Sequence, residues 1–352
     1  MHAQREELSK PAWSGDRLDS ASPPEIEAPW FDDVLGAWVL SRHADVLAAL
    51  RSPVLFPSGP HSRRIPGSED ESTRLKIREE TLEALSPAQL QAWSYRLTTY
   101  VRELADSLPT DRPVDIIGDH ARPLCLILGA MATGIDLPDA KSLDERAHRV
   151  SAFAAEPYDP ALRSAAKSAS TELASCFHSG PQALRDSGFV ALSQTLPCLL
   201  GNAWFSLLQH PRQWELLHRQ PELMEQALEE LLRYAGLARI LFRRAAEDVD
   251  VNGSLVRKGE RVILRIVAAN RDSERFADAN RLDITRRGAG HLTLGAGPHS
   301  CVGASLIRMG AIEITHPLLK RFSSAHLTQP VEWQGGSGFR SPRSLWVHLR
   351  EA

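Results

Sequence analysis

Cysteine is scarce in this chain: 352 residues carry four. Cys125, Cys176, Cys198 and Cys301 stand too far apart for a CxxC pair or a Cys/His zinc set, which excludes a disulfide-stapled scaffold and a zinc finger. Such sparse usage suits a reducing compartment, where a free thiol survives to ligate a metal. No apolar run reaches about 18 residues, the length a membrane-crossing helix needs. The N-terminal stretch MHAQREELSKPAWSGD is polar and lacks the apolar segment of a secretion signal. Charge of one sign is lacking too: the formal net charge is −3, which gives no electrostatic ground for nucleic acid as a partner. These absences predict a cytoplasmic protein that uses neither membrane nor nucleic acid. What remains is ordinary for a globular chain, 43% hydrophobic and 24% charged.

Taken in order, residues 1–28 read as a polar, proline-containing arm, and 29–352 as one mainly α domain with a small β region. No repeat, low-complexity tract or linker divides the second part. A strand is predicted at 37–41, a short helix from His43, and a Pro/Gly/Ser-rich loop over 53–72. Helices follow over 73–85 and from Pro87, a first-turn proline, to about 107. Another spans 120–133, bounded by Gly134 and Pro138, and the Ala/Ser-rich segment 139–185 reads as helix. The stretch 187–208 is apolar on nearly all sides, which predicts a central buried helix, and Pro197 should break a hydrogen bond near Ser193. Two shorter helices are expected at 211–219 and 222–234. Beyond Gly236 the pattern turns to strands, with Asn252-Gly253 a hairpin signal, then a last helix over 302–321. The tail 339–349 alternates as an edge strand does.

Two motifs carry chemistry. The first is HLTLGAGPHSCVGASLIRMG, 291–310, where Cys301 stands among Gly295, Gly297 and Gly303. A lone cysteine in a glycine-rich turn is most often a packed thiol. A thiolate that ligates metal needs close backbone approach, hence glycine, and a positive environment such as the start of the following helix. The second is Glu230 and Arg233, one helical turn apart. Most such pairs are solvated and contribute a few tenths of a kcal/mol.

Together, about 70 residues apart, the two motifs resemble the ExxR pair and the haem-ligand loop of the cytochrome P450 family. Only the aromatic usual at position 294, here Leu294, is missing. FRRAAEDV from Phe242, AANRD from Ala268, FADANRLD from Phe276 and AWVLSRHADVL from Ala37 extend the resemblance from about residue 29 to the C-terminus. It implies the triangular, mainly helical cytochrome P450 fold around haem b, with Cys301 as iron ligand and Leu294, Gly295 and Gly303 shaping the loop against the cofactor. Glu230 and Arg233 become a buried structural pair, and Arg243 and His299 hold the haem propionates. Where the family has a histidine and an arginine four apart, this chain reads Ser72 and Lys76, so Lys76 is the expected propionate cation. On the buried helix, Ala191, Leu192, Gln194 and Thr195 stand at the oxygen-activation stretch. The family normally has glycine where Leu192 stands and an acid where Gln194 stands. Leu192 would crowd the iron face unless the helix is rotated, and Gln194 hydrogen-bonds without titrating; Thr195 keeps the hydroxyl donor.

The implied activity is monooxygenation of a small organic molecule in a biosynthetic pathway. Ferredoxin or flavodoxin with a reductase would supply electrons, since the chain has no flavin or iron–sulfur module. Arg74, Lys76 and Arg308 are candidates to steer that acidic partner. Peroxide-driven or non-hydroxylating chemistry, and a non-catalytic haem-binding role, stay open. Arg239, Ile240 and Phe339 are the expected substrate-pocket residues, with Arg239 suggesting an anionic substrate. The chain is shorter than is usual in the family, before Ser72 and between 134 and 190, which predicts a reduced lid and a more open pocket.

Overall fold

Proline opens helix after helix in this chain, because a first-turn residue has no intrahelical N–H bond to lose. The computed structural model describes residues 26–57, 68–177, 184–185, 187–288 and 290–351. Most of the polar arm expected over 1–28, and positions 58–67 of the Pro/Gly/Ser-rich loop, lie outside the described residues. Strands β1 (Trp30–Asp32) and β2 (Ala37–Leu40) precede α1 (His43–Arg51), β3 (Leu55–Pro57) and α2 (Ser68–Ala84). Ser86 caps α3 (Pro87–Ser107), its hydroxyl accepting from the Gln89 N–H. Strand β4 (Val114–Asp115) leads through a π turn into α4 (Arg122–Thr133), which Gly134 ends at φ +71°. The Ala/Ser-rich segment forms α5 (Leu137–Ala155) and α6 (Pro160–Cys176), packed on each other.

The predicted buried helix is there, in three parts. α7 (Ser187–Val190) passes into a π turn, Ala191–Thr195, and then α8 (Leu196–Gln209). The Leu196 N–H donates to the Ala191 carbonyl, five residues back, and Pro197 has no N–H to give. The break expected near Ser193 is therefore a widened turn rather than a kink. From Leu196 to Leu208 every residue but Cys198 is buried, so α8 is the centre of the largest apolar cluster, with α3, α4, α10 and α12 around it.

Helices α9 (Pro211–Arg219) and α10 (Met224–Ala235) are followed by β5 (Ile240–Ala245), β6 (Val249–Val251), β7 (Ser254–Val256), β8 (Arg261–Arg265) and the short α11 (Ile266–Ala269). Asn252 (φ +50°) and Gly253 (φ +91°) make the β6–β7 turn, as that dipeptide predicts. The main sheet runs β1-β2-β8-β5-β3, with β2 and β8 parallel and the other pairs antiparallel. After α12 (Ala304–Arg321) come β9 (Phe322–Leu327), β10 (Trp333–Gly335), β11 (Arg340–Pro342) and β12 (Trp346–Glu351). The tail is not an edge strand: β12 lies between β4 and β9. Its alternation marks one buried and one exposed face, which a central strand of an antiparallel sheet also has.

Candidate active site

Positive φ angles shape the Cys301 loop. Gly295 (φ +72°) and Gly297 (φ +70°) adopt the left-handed region that a Cβ disfavours. A Cβ on Gly297 would lie 2.8 Å from both the Arg51 Cα and the Leu50 carbonyl oxygen, so this glycine lets the loop press on the end of α1. The Cys301 N–H donates to the Leu294 carbonyl at 2.8 Å and closes the loop. α12 starts just beyond, with Gly303 as N-cap, and a Cβ on Gly303 would touch nothing within 4 Å. Burial pushes the Cys301 thiol pKa up, while the Gly303 N–H and the cations of Arg78 and Arg308 pull it down.

The cation that reaches the loop from α2 is Arg78, not Lys76. Its guanidinium donates to the Ser300 carbonyl at 2.7 Å and to the Ser300 hydroxyl at 3.0 Å, while Lys76 is exposed. Two residues along a helix turn the side chain by about 200°, so the two cannot share a face. Leu75 and Leu82, each about half exposed, lie on the helix face that carries Arg78. The Arg74 side chain lies outside the described ones. Arg308, read as a steering residue, is committed instead: Glu229 binds it at 2.5 and 3.1 Å and stands 3.2 Å from His291. Those hydrogen bonds and charges outweigh the desolvation of Glu229 and hold its pKa down at about 2. Glu229 thus ties α10 to both flanks of the cysteine loop, a role that the adjacent Glu230 obscured.

Glu230 and Arg233 are fully buried, which removes the solvated reading. Arg233 donates to Glu230 at 2.7 and 2.8 Å, and to the carbonyls of Asn270 (2.8 Å), Ala279 (2.8 Å) and Arg281 (3.2 Å). Glu230 also accepts from the Asp283 N–H at 3.0 Å and pairs with Arg286 at 3.1 Å. Asn270 accepts from the Leu292 N–H at 2.7 Å and donates to Thr293, whose hydroxyl donates to the Leu232 carbonyl at 2.6 Å. One continuous network therefore runs from the ion pair to the strand that enters the cysteine loop.

Arg243 is 4% exposed on β5. Its guanidinium donates to the Phe242 carbonyl at 2.9 Å, its Nε has no acceptor, and no acid pairs with it among the described residues. Burial alone lowers its pKa to about 10. His299 is half-buried and packs edge-on to Phe56 with ring centroids 5.9 Å apart.

Between 191 and 208 on the central helix, Ala191, Thr195 and Cys198 are the positions that are not buried, spaced as one helix face. Leu192 faces the other way: its Cβ is 3.6 Å from where a Cβ on Gly129 of α4 would stand, and it is 2% exposed. It belongs to the core and does not line the cavity described next. A cavity of about 250 Å³ is lined by Gln194, Thr195, Leu237, Phe339, Arg122 and Arg343, among others. Phe339 lines that cavity, whereas Arg239 and Ile240 do not. Arg239 is buried, and its backbone links Gly338 to Ile266; Ile240 packs with Leu35, Ala37, Tyr158 and Ile263. Arg122 escaped notice because nothing local marks the first residue of α4 as facing a cavity.

Where the reduced lid is expected, the connection between α5 and α6 is clamped. Residues 156–159 join α5 to α6, and Tyr158 is buried against Phe242 with centroids 5.6 Å apart. The Gly338 N–H donates to the Ala155 carbonyl at 2.9 Å, and a Cβ on Gly338 would overlap the Ala154 carbonyl oxygen and stand 2.9 Å from Pro157 Cδ. Glycine there lets the β10–β11 turn seat on the end of α5.

Residues 212–345 match the family model described as Cytochrome P450, a span that holds Glu230, Arg233, Arg243, His299 and Cys301. The chain is 30% identical to nocardicin C N-oxygenase of Nocardia uniformis subsp. tsuyamanensis, over 92% of this chain and 91% of that one. It is 28% identical to linalool 8-monooxygenase of Pseudomonas putida, over 82% and 84%. Among solved structures, CxnD, described as a cytochrome P450 enzyme for C–S bond formation in chuangxinmycin biosynthesis, aligns with a TM-score of 0.75 at 27% identity, covering 90% of this chain and 88% of CxnD. P450BioI, solved with a hexadec-9Z-enoic acid-ligated acyl carrier protein, shares the fold with a TM-score of 0.81 at 24% identity, over 89% and 92%.

Proposed function

The chain belongs to the cytochrome P450 family and is a haem-thiolate monooxygenase of a small organic molecule; we propose that Cys301 ligates the iron of haem b and that Arg122 selects an acidic substrate. Arg243 carries the first part. A buried guanidinium with a free Nε and no acid partner calls for an anionic group from outside the chain, and haem b brings propionates. Arg78, which reaches Ser300, and His299, the residue before it in the loop, are further propionate donors, in place of the exposed Lys76. Gly303 keeps side-chain atoms off the loop where the macrocycle must approach, and Leu75 and Leu82 offer apolar contact beside Arg78. When bound, the haem supplies oxygen activation, with the thiolate's electron release favouring O–O cleavage. Thr195 contributes a hydroxyl donor at the cavity wall, and Leu237 and Phe339 contribute apolar surface that orients the substrate.

The substrate class rests on Arg122. It lines the cavity and has no hydrogen-bond or ion-pair partner among the described residues, whereas the earlier candidate, Arg239, is outside the lining. Electrons come from a ferredoxin or flavodoxin and its reductase, with the exposed Lys76 among the residues that would meet it. A cytoplasmic location accords with four free cysteines and with the absence of any single helix, among the described residues, long and apolar enough to cross a membrane.

Reduced protein under carbon monoxide tests the ligand: the parent shows the thiolate Soret band and Cys301→Ser does not. Product formation with NAD(P)H and redox partners, set against hydrogen peroxide, tests the oxidant. For the substrate class, Arg122→Gln weakens binding of carboxylic acids by about tenfold or more, consistent with loss of a partly desolvated charge pair, and leaves their methyl esters unaffected. Equal loss for acids and esters refutes the assignment.

A further inference from the structure

Gln194 occupies the position where the resemblance expects an acid, and an amide neither gives up nor takes a proton near neutral pH. The structure places an acid beside it from another helix. The Gln194 Nε2 donates to Asp144 Oδ1 at 2.5 Å, joining the π turn to the middle of α5. Gln194 is 4% exposed and lines the cavity, while Asp144 is half-exposed and does not line it. Gln194 therefore stands between a solvent-contacting carboxylate and the cavity.

Resting on the monooxygenase reading above, we propose that Asp144 supplies, through Gln194, the proton-carrying acid that the central helix lacks. Monooxygenation consumes O2, two electrons from the ferredoxin-type carrier and two protons from solvent; one oxygen atom enters a substrate C–H bond and the other leaves as water. The protons must cross the protein, and Asp144 takes them up at the surface. Because the Gln194 amide nitrogen is engaged by Asp144, its carboxamide oxygen is turned from the acid and is the acceptor that holds a water at the cavity wall. A second water, bridging Asp144 to that one, carries the proton past Gln194 and on toward Thr195. Gln194 is the positioning residue, and Asp144 is the proton carrier.

The surroundings leave Asp144 available for this. On its own helix, Arg146 and Arg149 are both paired with Glu172 of α6, at 3.2 and 3.4 Å. Lys141 and Glu145 are exposed on α5, and so is His148, which belongs to the cavity lining. From α6, Glu172 is occupied by those arginines and by Ser168; the π turn and α7 present no charged side chain. No cation ion-pairs with Asp144 among the described residues.

The test is an exchange of acid and amide in the haem-loaded protein. D144N keeps a hydrogen-bonding pair of nearly the same shape but removes the acid, and D144N/Q194E returns an acid on the central helix. General acid–base groups contribute roughly 10²–10⁴-fold, and water substitutes in part, so D144N should lower product formed per NADPH by about tenfold, with peroxide released instead. The D144N/Q194E pair should recover most of that coupling, and D144E, which keeps the acid, should retain it. Infrared titration provides a readout apart from turnover: a carboxyl band that titrates in the parent should be lost in D144N. Melting temperature and the substrate-induced spectral shift should be unchanged in D144N. Coupling in D144N equal to that of the parent or of D144E overturns the proposal, as does a double variant that stays as uncoupled as D144N. A parent without the thiolate band would instead count against the monooxygenase reading itself.

Discussion

Replacing Glu230 by Gln is a small change in shape and a large one in charge. The Glu230 carboxylate receives two N–H donations from Arg233 and one from the Asp283 backbone, and it pairs with Arg286. A glutamine keeps one oxygen and turns an NH2 toward donors, so at least one of those hydrogen bonds becomes a donor–donor contact. Arg233, with no exposed side-chain surface, is left with carbonyl dipoles but no counter-charge. Breaking a buried pair from one side costs about 3–5 kcal/mol, a third or more of a typical domain's stability. With a urea m-value of about 3 kcal/mol/M, this moves the unfolding midpoint down by roughly 1 M or more. The assay is urea unfolding of the haem-loaded protein, followed by far-UV dichroism and by the Soret band. Because Asn270 and Thr293 connect the pair to the cysteine loop, the Soret band should be lost at or below the urea concentration at which helicity is lost. A midpoint shift worth less than about 1 kcal/mol would refute the argument, since it would mean that Arg233 is adequately held by carbonyls alone.

His120 sets a pH dependence with a definite sign. Burial lowers its pKa to about 4, its Nε2 is 3.0 Å from the Ile314 carbonyl oxygen, and its Nδ1 has no partner. The folded state therefore refuses a proton that the unfolded chain accepts near pH 6.5, so stability is fully present above that pH and falls toward pH 4, by up to about 3 kcal/mol. Unfolding free energies measured from pH 7 to 4.5 should slope less in His120→Gln; an unchanged slope would show that another group is responsible. Gly338→Ala should unseat the β10–β11 turn from α5 and raise amide exchange at Gly338 and Phe339 by about tenfold, read by hydrogen exchange, with little change elsewhere. Protection equal to the parent would mean that the clamp survives the added methyl.

The proximal half of the site was legible because it is written locally. Glycines that turn a loop, a cysteine among them and an acid–base pair one turn apart are short-range patterns, and the positive φ angles of Gly295 and Gly297 and the Glu230–Arg233 pair follow from them. The helical outline was legible for the same reason: apolar period and first-turn prolines fix the elements. What failed was register and cross-chain pairing. Lys76 and Arg78 are both basic and two residues apart, and only the packing of α2 decides which one reaches Ser300. The π turn turns Leu192 into the core, and no period in the sequence announces an inserted residue. Asp144 and Gln194 are 50 residues apart, with nothing in either neighbourhood pointing to the other. Arg239 is expected at the pocket because the resemblance runs its segment beside the haem; it is not in the cavity lining, and its backbone serves the β10–β11 turn.

The π turn has a further consequence for how this site can change. One residue more than an α-helix needs is held between Val190 and Leu196, stabilised in part because Pro197 asks for no hydrogen bond. Deleting that residue would restore an ordinary helix and rotate everything on its N-terminal side by about 100°, with a shift of about 1.5 Å along the axis. The core packing of α8 would hold still while Ala191 and Leu192, on the N-terminal side, turned to new neighbours and changed what stands beside Gln194 and Thr195 at the cavity wall. Pocket shape in this protein can thus be reset by gain or loss of a single residue, a coarser and faster dial than substitution, and one whose mechanical effects stop at Leu196.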